Sequence, residues 1–229
     1  MGKIKITKNG PYEVSGAIPL AEEEIVVDEN GDPLEWKKTK DFPTKSELLL
    51  CRCGHSKNKP FCDRSHSKVE FDGEETAGLK RTFSDMEHVY DGPLINLHDA
   101  EELCSGAGFC HRLGGIWELS ESDTDSDVAT AKEQCANCPS GRLVVEDKKK
   151  GIVESELEES ISITQEPDSG VSGPIWAKGN IEVESSSGEK YEKRNRVTLC
   201  RCGKSNNKPF CDGMHRLAEF SDHDESISN

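Results

Sequence analysis

The chain has 229 residues, a formal net charge of −15 at pH 7, and almost as many charged residues (32%) as hydrophobic ones (33%). So few apolar residues favour several small units over one large core, and small units need a metal or disulfide staple. The negative charge disfavours nucleic acid and anionic membranes as partners. No apolar run approaches the ~20 residues of a membrane span and no secretory signal pattern opens the chain, so we expect a cytoplasmic protein.

The N-terminal unit, residues 1–84, is predicted to be rich in β-strands. A turn at Gly10-Pro11 leads into a strand with alternating apolar positions, and Glu24–Val27 followed by the turn at residues 28–33 predicts a hairpin. Behind the hairpin comes a C-x-C-x8-C-x3-H spacing. Its candidate metal ligands are Cys51, Cys53, Cys62 and His66.

This spacing has a physical reason. Two cysteines at i and i+2 on extended backbone place both sulfurs on one side, and a Cys and a His at i and i+4 share one face of a helical turn. Two ligands from each arm of the loop suit two metal ions better than one. The basic residues around these ligands, Arg52 and Lys57 among them, are expected to offset the negative charge of thiolates.

The middle unit, residues 85–146, has a different pattern. A capped helix start is predicted at Asp99–Glu102, a second helix runs from Val128 to about Asn137, and Arg142–Val145 is predicted as a strand. The remaining four cysteines of the chain are spaced C-x5-C and C-x2-C in this unit. They are Cys104, Cys110, Cys135 and Cys138.

The C-terminal unit, residues 173–220, repeats the first. Residues 197–220 match residues 48–71 at 15 of 24 aligned positions, and Gly173-Pro174 aligns with Gly10-Pro11. The duplication predicts two modules that pack as a pseudo-twofold pair. Residues 147–172 are predicted as a linker, and residues 221–229 as a frayed tail. The repeated ligands are Cys200, Cys202, Cys211 and His215.

Two alternatives to a metal cluster are open at this point. Ten cysteines are an even number, which allows a disulfide framework, although cysteines one residue apart do not pair readily and no export signal is present. Structural zinc also uses three cysteines and a histidine, although usually with C-x2–4-C knuckles rather than C-x-C.

The two Cys/His blocks resemble the CDGSH iron–sulfur family, whose pattern C-x-C-x2-[ST]-x3-P-x-C-D-G-[SAT]-H both copies nearly meet. The resemblance implies a [2Fe–2S] cluster in each copy, with two cysteines on one iron and a Cys/His pair on the other. In the pattern, Arg64 stands in place of the family glycine and Met214 in place of the small residue before the histidine. Neither departure removes a ligand. The implied pairs are Cys51/Cys53 with Cys62/His66, and Cys200/Cys202 with Cys211/His215.

The middle unit resembles divergent single-cluster bacterial ferredoxins, especially those paired with CDGSH modules. The resemblance implies that Cys104, Cys110 and Cys138 are cluster ligands. Cys135 is either a fourth ligand of a [4Fe–4S] cluster or a free thiol beside a [3Fe–4S] cluster. Ala107 occupies the position of the usual middle ligand.

These patterns predict an α+β protein of small β-rich iron–sulfur modules, with two CDGSH units as an intramolecular pseudo-dimer and a ferredoxin-like insert. No nucleotide-binding or catalytic motif is visible, so we expect a non-enzymatic carrier of single electrons with two [2Fe–2S] clusters and a third cluster. The alternative function is cluster storage, sensing or transfer, with release on histidine protonation. Expected partners are a redox protein or an apo-protein cluster acceptor, with no nucleic acid and no membrane, and the chain is expected to be a monomer.

Overall fold

The computed structural model describes residues 2–227, which form three β-sheets with few helices. The N-terminal strands are β1 (Lys3–Ile6), β2 (Tyr12–Ser15), β3 (Leu20–Val27), β4 (Pro33–Phe42) and β5 (Glu47–Leu50). The middle unit contains β6 (His88–Asp91), β7 (Ile95–Asp99), α1 (Ile116–Ser120), α2 (Asp125–Asn137), β8 (Leu143–Asp147) and β9 (Gly151–Val153). The C-terminal elements are β10 (Ser160–Glu166), β11 (Val171–Lys178), β12 (Glu182–Glu184), β13 (Arg196–Leu199) and α3 (Met214–Leu217).

Short 3₁₀ turns connect these elements at Ser65–Ser67, Phe83–Asp85, Glu101–Leu103, Phe109–Gly114, Pro167–Ser169 and Glu225–Ile227. None of the helices within residues 2–227 has the length and apolar character needed to cross a bilayer.

The two terminal modules exchange strands. The first sheet has the order β12-β1-β2-β5 and the second the order β13-β11-β10-β3-β4. In the first, β12 of the C-terminal module runs parallel to β1, with Ile4 opposite Val183. In the second, β3 of the N-terminal module runs parallel to β10, with Leu20 opposite Ile161. Each module therefore completes the sheet of the other.

The strand pattern explains the shared core. Alternation of buried and outward positions along β1 and β2 points Ile4, Ile6 and Tyr12 to one face. They meet Ile161 and Ile163 of β10 in one apolar cluster. Burial of an aliphatic side chain contributes about 1.5–3 kcal/mol, so this common core joins the modules as one folding unit. The predicted pseudo-dimer of two CDGSH-like β units around an insert is confirmed.

The segment 147–172, predicted as a linker, holds structured backbone instead. It contains β9 and the whole of β10, a strand buried along nearly all of its length between β11 and β3. β10 corresponds to β1 of the first module: Ile6 lies opposite Tyr12 just as Ile163 lies opposite Ile175. The repeat therefore begins one strand earlier than the sequence indicates, because the polar residues Ser162, Thr164 and Gln165 of β10 conceal its burial.

The segment 221–229, predicted as a frayed tail, is folded back onto the sheet as far as it is described; residues 228 and 229 lie outside the described residues. The side chain of Asp222 is buried and forms an ion pair with Arg201, and Ile227 is buried at the end of the described tail. The tail is held because it neutralises a buried guanidinium.

The middle unit packs α1 and α2 on an antiparallel sheet of order β6-β7-β8-β9. Helix α2 begins at Asp125, three residues before the predicted start, because the Thr124 side chain accepts a hydrogen bond from Asp127 N at 3.3 Å. The helix predicted from Asp99 is wrong: Asp99 ends β7, and only a 3₁₀ turn at Glu101–Leu103 follows. The sheet continues to Val153, beyond the predicted boundary at residue 146.

Candidate metal centres

The N-terminal ligand set is assembled by one folded loop. Strand β5 delivers Cys51, whose Sγ lies 3.7 Å from Cys53 Sγ, and Cys62 Sγ lies 3.5 Å from His66 Nδ1. The two arms of the loop are tied together by backbone hydrogen bonds, one from Cys51 N to Pro60 O (2.8 Å) and one from Cys62 N to Leu49 O (2.9 Å). The loop therefore offers two separate pairs of ligands, as the spacing predicts.

The C-terminal set repeats this geometry. Cys200 Sγ and Cys202 Sγ are 3.7 Å apart, and Cys211 Sγ lies 3.4 Å from His215 Nδ1. The same ties recur, from Cys200 N to Pro209 O (2.8 Å) and from Cys211 N to Thr198 O (2.9 Å). The duplication in the sequence is thus a duplication of the site.

The aspartate that follows the third cysteine holds the loop rather than a metal. Asp63 accepts hydrogen bonds from Lys57 N (2.8 Å) and Ser65 N (2.9 Å), and these bonds hold the pKa of its carboxyl well below the usual range. In the second copy, Asp212 accepts hydrogen bonds from Asn206 N (2.8 Å) and Met214 N (3.1 Å). Because the carboxylate accepts hydrogen bonds from backbone N–H groups, it stabilises the turn that orients the histidine ligand.

Backbone N–H groups point at the sulfurs. Cys62 Sγ accepts from Arg64 N and Cys211 Sγ from Gly213 N, each at 3.4 Å. Such donors favour the thiolate form, which is the form that binds metals. The hydrogen bond from Cys53 lowers the pKa of Cys51 to about 5. The same hydrogen bond, followed by burial, raises the pKa of Cys53 well above its usual range and keeps the proton on Cys53. Metal binding must therefore displace that proton.

The donor arrangement fits a two-iron group. All ten cysteines are free, which removes the disulfide alternative. Within residues 2–227, no three or more His, Cys, Asp or Glu side chains lie close enough together to hold a single metal ion. Two pairs of ligands, each with its sulfurs or its Cys/His atoms 3.4–3.7 Å apart, suit two neighbouring irons instead.

The two histidines differ in their surroundings. His215 is 1% exposed, and its Nε2 lies 2.8 Å from Glu166 Oε1 at the end of β10. His66 is partly exposed, and no side chain in the described part of the chain hydrogen-bonds its Nε2. One site therefore has a buried, oriented imidazole and the other a ring that reaches solvent.

The two departures from the family pattern lie at this same turn. Gly213 has a left-handed backbone (φ 82°), and Arg64 adopts the same conformation (φ 68°) with an exposed side chain. An L-residue pays roughly 1–2 kcal/mol there. Met214, at the other departure, begins α3 and leaves His215 in place.

The middle cysteines also gather in one place. Cys104 follows the turn at Glu101–Leu103, Cys110 lies in the turn at Phe109–Gly114, Cys135 is in the last turn of α2, and Cys138 ends that helix. Cys110 and Cys138 pack against the apolar cluster that contains Cys135. Burial, reinforced by the neighbouring Cys138 and Cys104 thiolates, raises the pKa of Cys110 to about 11.

Cys135 is the buried member, 3% exposed, and burial followed by the Cys138 thiolate raises its pKa well above the usual range. The other three cysteines are partly exposed. The Arg142 guanidinium lies beside Cys104 and holds Asp99 through Nε–Oδ1 (2.5 Å) and Nη2–Oδ2 (2.8 Å) contacts. A fixed cation here offsets the negative charge of several thiolates.

The C-terminal ligand loop touches the ligand loops of both other sites. A Cβ built on Gly54 would lie 2.6 Å from Cys202 O, and one on Gly203 would lie 2.7 Å from Cys53 O. A Cβ on Gly213 would lie 3.7 Å from Cys104 O. The two CDGSH-like loops are thus reciprocal neighbours, and the C-terminal loop also packs on the middle one.

Comparison with family models agrees with this arrangement. Residues 9–67 and 172–216 match the model described as iron-binding zinc finger CDGSH type, and residues 90–148 match the divergent 4Fe-4S mono-cluster model. The chain is a CDGSH-type iron–sulfur protein in which two CDGSH modules flank a divergent single-cluster, ferredoxin-like domain. It binds iron–sulfur clusters, and its modules are of the kinds that imply [2Fe–2S] and 4Fe–4S groups. No curated protein and no solved structure matches the chain.

Two residues near the sites, Glu166 and Arg216, escape sequence reasoning. Glu166 and Arg216 gave no signal, because the first lies in a polar stretch and the second in a block whose basic residues look like surface charge. Arg52 carried a signal, since it recurs as Arg201 in the repeat. Arg52 and Arg201 are buried and so do not form a basic surface patch. Their Nε atoms donate to Gly10 O (2.9 Å) and Gly173 O (2.6 Å), respectively.

Proposed function

We propose that the protein is a non-enzymatic carrier of single electrons. The supporting observation is the direct contact of the C-terminal ligand loop with both other ligand loops, since a Cβ on Gly54 would clash with Cys202 O and one on Gly213 would touch Cys104 O. When bound, iron–sulfur groups supply reversible one-electron chemistry without a change of ligands. Contact between the loops keeps the three groups close and surrounds them with one rigid backbone.

The chain's own residues favour this use. Cys51 and Cys200, buried at the ends of β5 and β13, receive tight backbone support. Tyr12 reaches from the N-terminal module to donate to Cys200 O (2.8 Å) and Pro209 O (3.0 Å) of the other module. A rigid, water-poor ligand frame lowers the structural change that accompanies a change of charge.

For the cofactors, we propose two [2Fe–2S] groups on the Cys3His sets and one [4Fe–4S] group in the middle domain. Cys104, Cys110 and Cys138 would hold the latter with Cys135 as the fourth ligand. The support is that Cys135 lies against Cys110 and Cys138 and that the matched family model is of the 4Fe-4S type. A [3Fe–4S] group without Cys135 is the alternative.

The test is anaerobic purification of the full chain with iron, sulfide and zinc analysis, followed by titration with a strong reductant under electron paramagnetic resonance. We expect equal iron and sulfide, reversible electron uptake, and distinct signals from the CDGSH and middle groups. Reoxidation by a small haem protein should then be fast. A colourless protein with stoichiometric zinc, or coloured protein that takes up no electrons reversibly, would overturn the proposal.

A second candidate function, transfer of a [2Fe–2S] cluster to an apo-protein, is favoured by one observation. Cys62 and His66 are both partly exposed, whereas Cys211 and His215 are buried. A ligand pair at the surface is the natural place for an acceptor thiol to attack. Transfer from the N-terminal module that stops in His66→Cys, while electron uptake continues, would support this function.

We propose a redox protein as donor or acceptor, or an apo-protein cluster acceptor, with no nucleic acid and no membrane involved. The strand exchange within one chain supports a monomer, since it supplies internally the contacts that a dimer would make. Because all ten cysteines are free, we place the protein in the cytoplasm, where thiols stay reduced.

A further inference from the structure

We propose that Glu166 and Arg216 couple the retention of the C-terminal [2Fe–2S] group to the middle domain, and that the N-terminal group is held independently. This inference rests on the proposed occupancy of the three sites. It concerns how firmly each is held, and it does not depend on the direction or rate of electron transfer.

The coupling begins with an extension of one hairpin. Residues 7–11 join the paired positions Ile6 and Tyr12 in the first module, whereas residues 164–174 join Ile163 and Ile175 in the second. The second hairpin is thus six residues longer. The shared part has the same role in both modules, since Thr7 O and Thr164 O each accept from the buried arginine of their own module. The additional length carries Glu166.

Glu166 fixes the orientation of His215. A proton on Nε2, donated to Glu166 Oε1 at 2.8 Å, leaves Nδ1 with its lone pair on the side of Cys211 Sγ, 3.4 Å away. A carboxylate that orients the ring of a metal-binding histidine in this way typically changes metal affinity 10–100-fold. Glu166 is 4% exposed, so water does not compete strongly for its oxygen.

Arg216 connects this carboxylate to the middle domain. Its Nη1 lies 2.9 Å from Glu166 Oε2 and 2.5 Å from Gly106 O, in the loop between Cys104 and Cys110, and its Nη2 donates to Ser169 Oγ at 3.0 Å. A Cβ on Gly106 would lie 2.9 Å from Arg216 Cδ. One guanidinium therefore holds both the carboxylate on His215 and the loop that would bind the middle group.

Among the described residues, the first module has no counterpart of this connection. Ser67 occupies the position that Arg216 has in the repeat, and it is exposed, with Oγ donating only to Arg64 O (2.8 Å). The short hairpin at residues 7–11 instead contacts Arg52, whose Nε donates to Gly10 O. Order in the Cys104–Cys110 loop can therefore reach His215, whereas residues 2–227 provide no polar connection from that loop to His66.

Binding linkage then makes the effect reciprocal. A filled middle site orders the Cys104–Cys110 loop, which holds Arg216, Glu166 and the His215 ring in position. A filled C-terminal site holds the same contacts from the other side. Each group should dissociate more slowly when the other is present.

The experiment measures the rate of iron loss to a chelator from full-length protein purified with its clusters under anaerobic conditions. Two background proteins are used: one has its N-terminal site emptied and keeps only the C-terminal CDGSH group, and the other has the reverse. Each is prepared with the middle site intact and with it emptied. The coupling variants are Glu166→Gln and Arg216→Met. Arg81→Met is the matched control, because Arg81 also pairs with a residue beside the middle loop, Glu102, but contacts neither histidine. The emptying substitutions are Cys51→Ser with Cys53→Ser, Cys200→Ser with Cys202→Ser, and Cys104→Ser with Cys138→Ser.

We expect Glu166→Gln to speed iron loss from the C-terminal site roughly 10–100-fold and Arg216→Met to speed it about fivefold or more. Emptying the middle site should match Arg216→Met, and combining the two should add little, since both break the same connection. The N-terminal rate should not change with any of these variants, and Arg81→Met should change neither rate.

A second measurement covers variants that hold too little iron. Amide hydrogen exchange of residues 104–110 should accelerate in Arg216→Met and when the C-terminal site is empty, but not when the N-terminal site is empty. Equal effects on both CDGSH sites, or fully additive effects of Arg216→Met and an empty middle site, would overturn the coupling. Failure of the carrier function is a separate result: it would appear as absent electron uptake with the site-specific rates unchanged.

Discussion

Replacement of Asp222 by asparagine should release the folded tail. The side chain of Asp222 is 6% exposed, and its carboxylate accepts from Ser172 Oγ (2.8 Å) and Gln165 Nε2 (3.1 Å) besides its ion pair with Arg201. Asparagine keeps the shape but removes the charge, and it leaves the buried Arg201 with carbonyl acceptors. Arg52 shows that such a state is tolerated, because its guanidinium donates only to carbonyl oxygens, those of Thr7, Gly10 and Gly73.

The size of the effect follows from the carboxyl pKa. Burial, the largest single influence, would raise the pKa of Asp222, but the Arg201 charge and the hydrogen bonds from Arg201, Ser172 and Gln165 together outweigh it and lower the pKa from 3.8 to about 2. At about 1.4 kcal/mol per unit, the ion pair and hydrogen bonds of this carboxylate together contribute roughly 2–3 kcal/mol at neutral pH. Because the folded pKa is lowered, this stability is present above pH ~4 and is lost as pH falls from about 4 towards 2.

Hydrogen exchange of residues 221–227, normalised to intrinsic rates, is the suitable assay because the tail can open without global unfolding. We expect exchange to be roughly 50–100-fold faster in Asp222→Asn at pH 7, with a flatter dependence between pH 4 and 2 than in the wild type. Asp91→Asn is the control, since Asp91 forms an exposed ion pair with Lys148. Protection within twofold of the wild type would refute the assignment of the tail's stability to this pair.

Three further outcomes are expected. Gly203→Ala should lower the melting temperature and iron content well beyond Gly188→Ala, which has similar positive φ but open space around it; equal losses would contradict the close approach of the modules. Cys135→Ser should remove one iron per chain and leave a middle group that is paramagnetic when oxidised, and unchanged iron would exclude Cys135 as a ligand. Arg64→Gly should gain about 1 kcal/mol, or 2–4 °C, by relieving its left-handed backbone; an unchanged or lower melting temperature would contradict this.

The candidate sites could be read from the sequence because ligand spacing is local. The C-x-C-x8-C-x3-H blocks specify pairs at i, i+2 and i, i+4, and the structure places Cys51 beside Cys53 and Cys62 beside His66 as that spacing requires. The loop fold is fixed within each block by short-range bonds, such as the one from Cys51 N to Pro60 O. A repeat of such a block predicts a repeat of the site.

Long-range features were hidden for equally physical reasons. Strand β10 reads as a linker because its polar side chains are satisfied by distant partners, as Ser162 is by Glu23 (2.8 Å). The exchange of β3 and β12 leaves no local trace, since only the pairing across the chain reveals it. Asp222 resembles any acidic tail residue until Arg201 is seen beneath it.

The strand exchange also has an evolutionary consequence. Two identical subunits that exchanged strands in this way would be obliged to change both sites with every substitution. With both copies encoded once, in one chain, each substitution alters a single site, and Glu166, Arg64 and Asp222 each occur in only one copy. The fused chain can therefore keep one imidazole sealed and the other open to solvent, a division of labour closed to a symmetric pair.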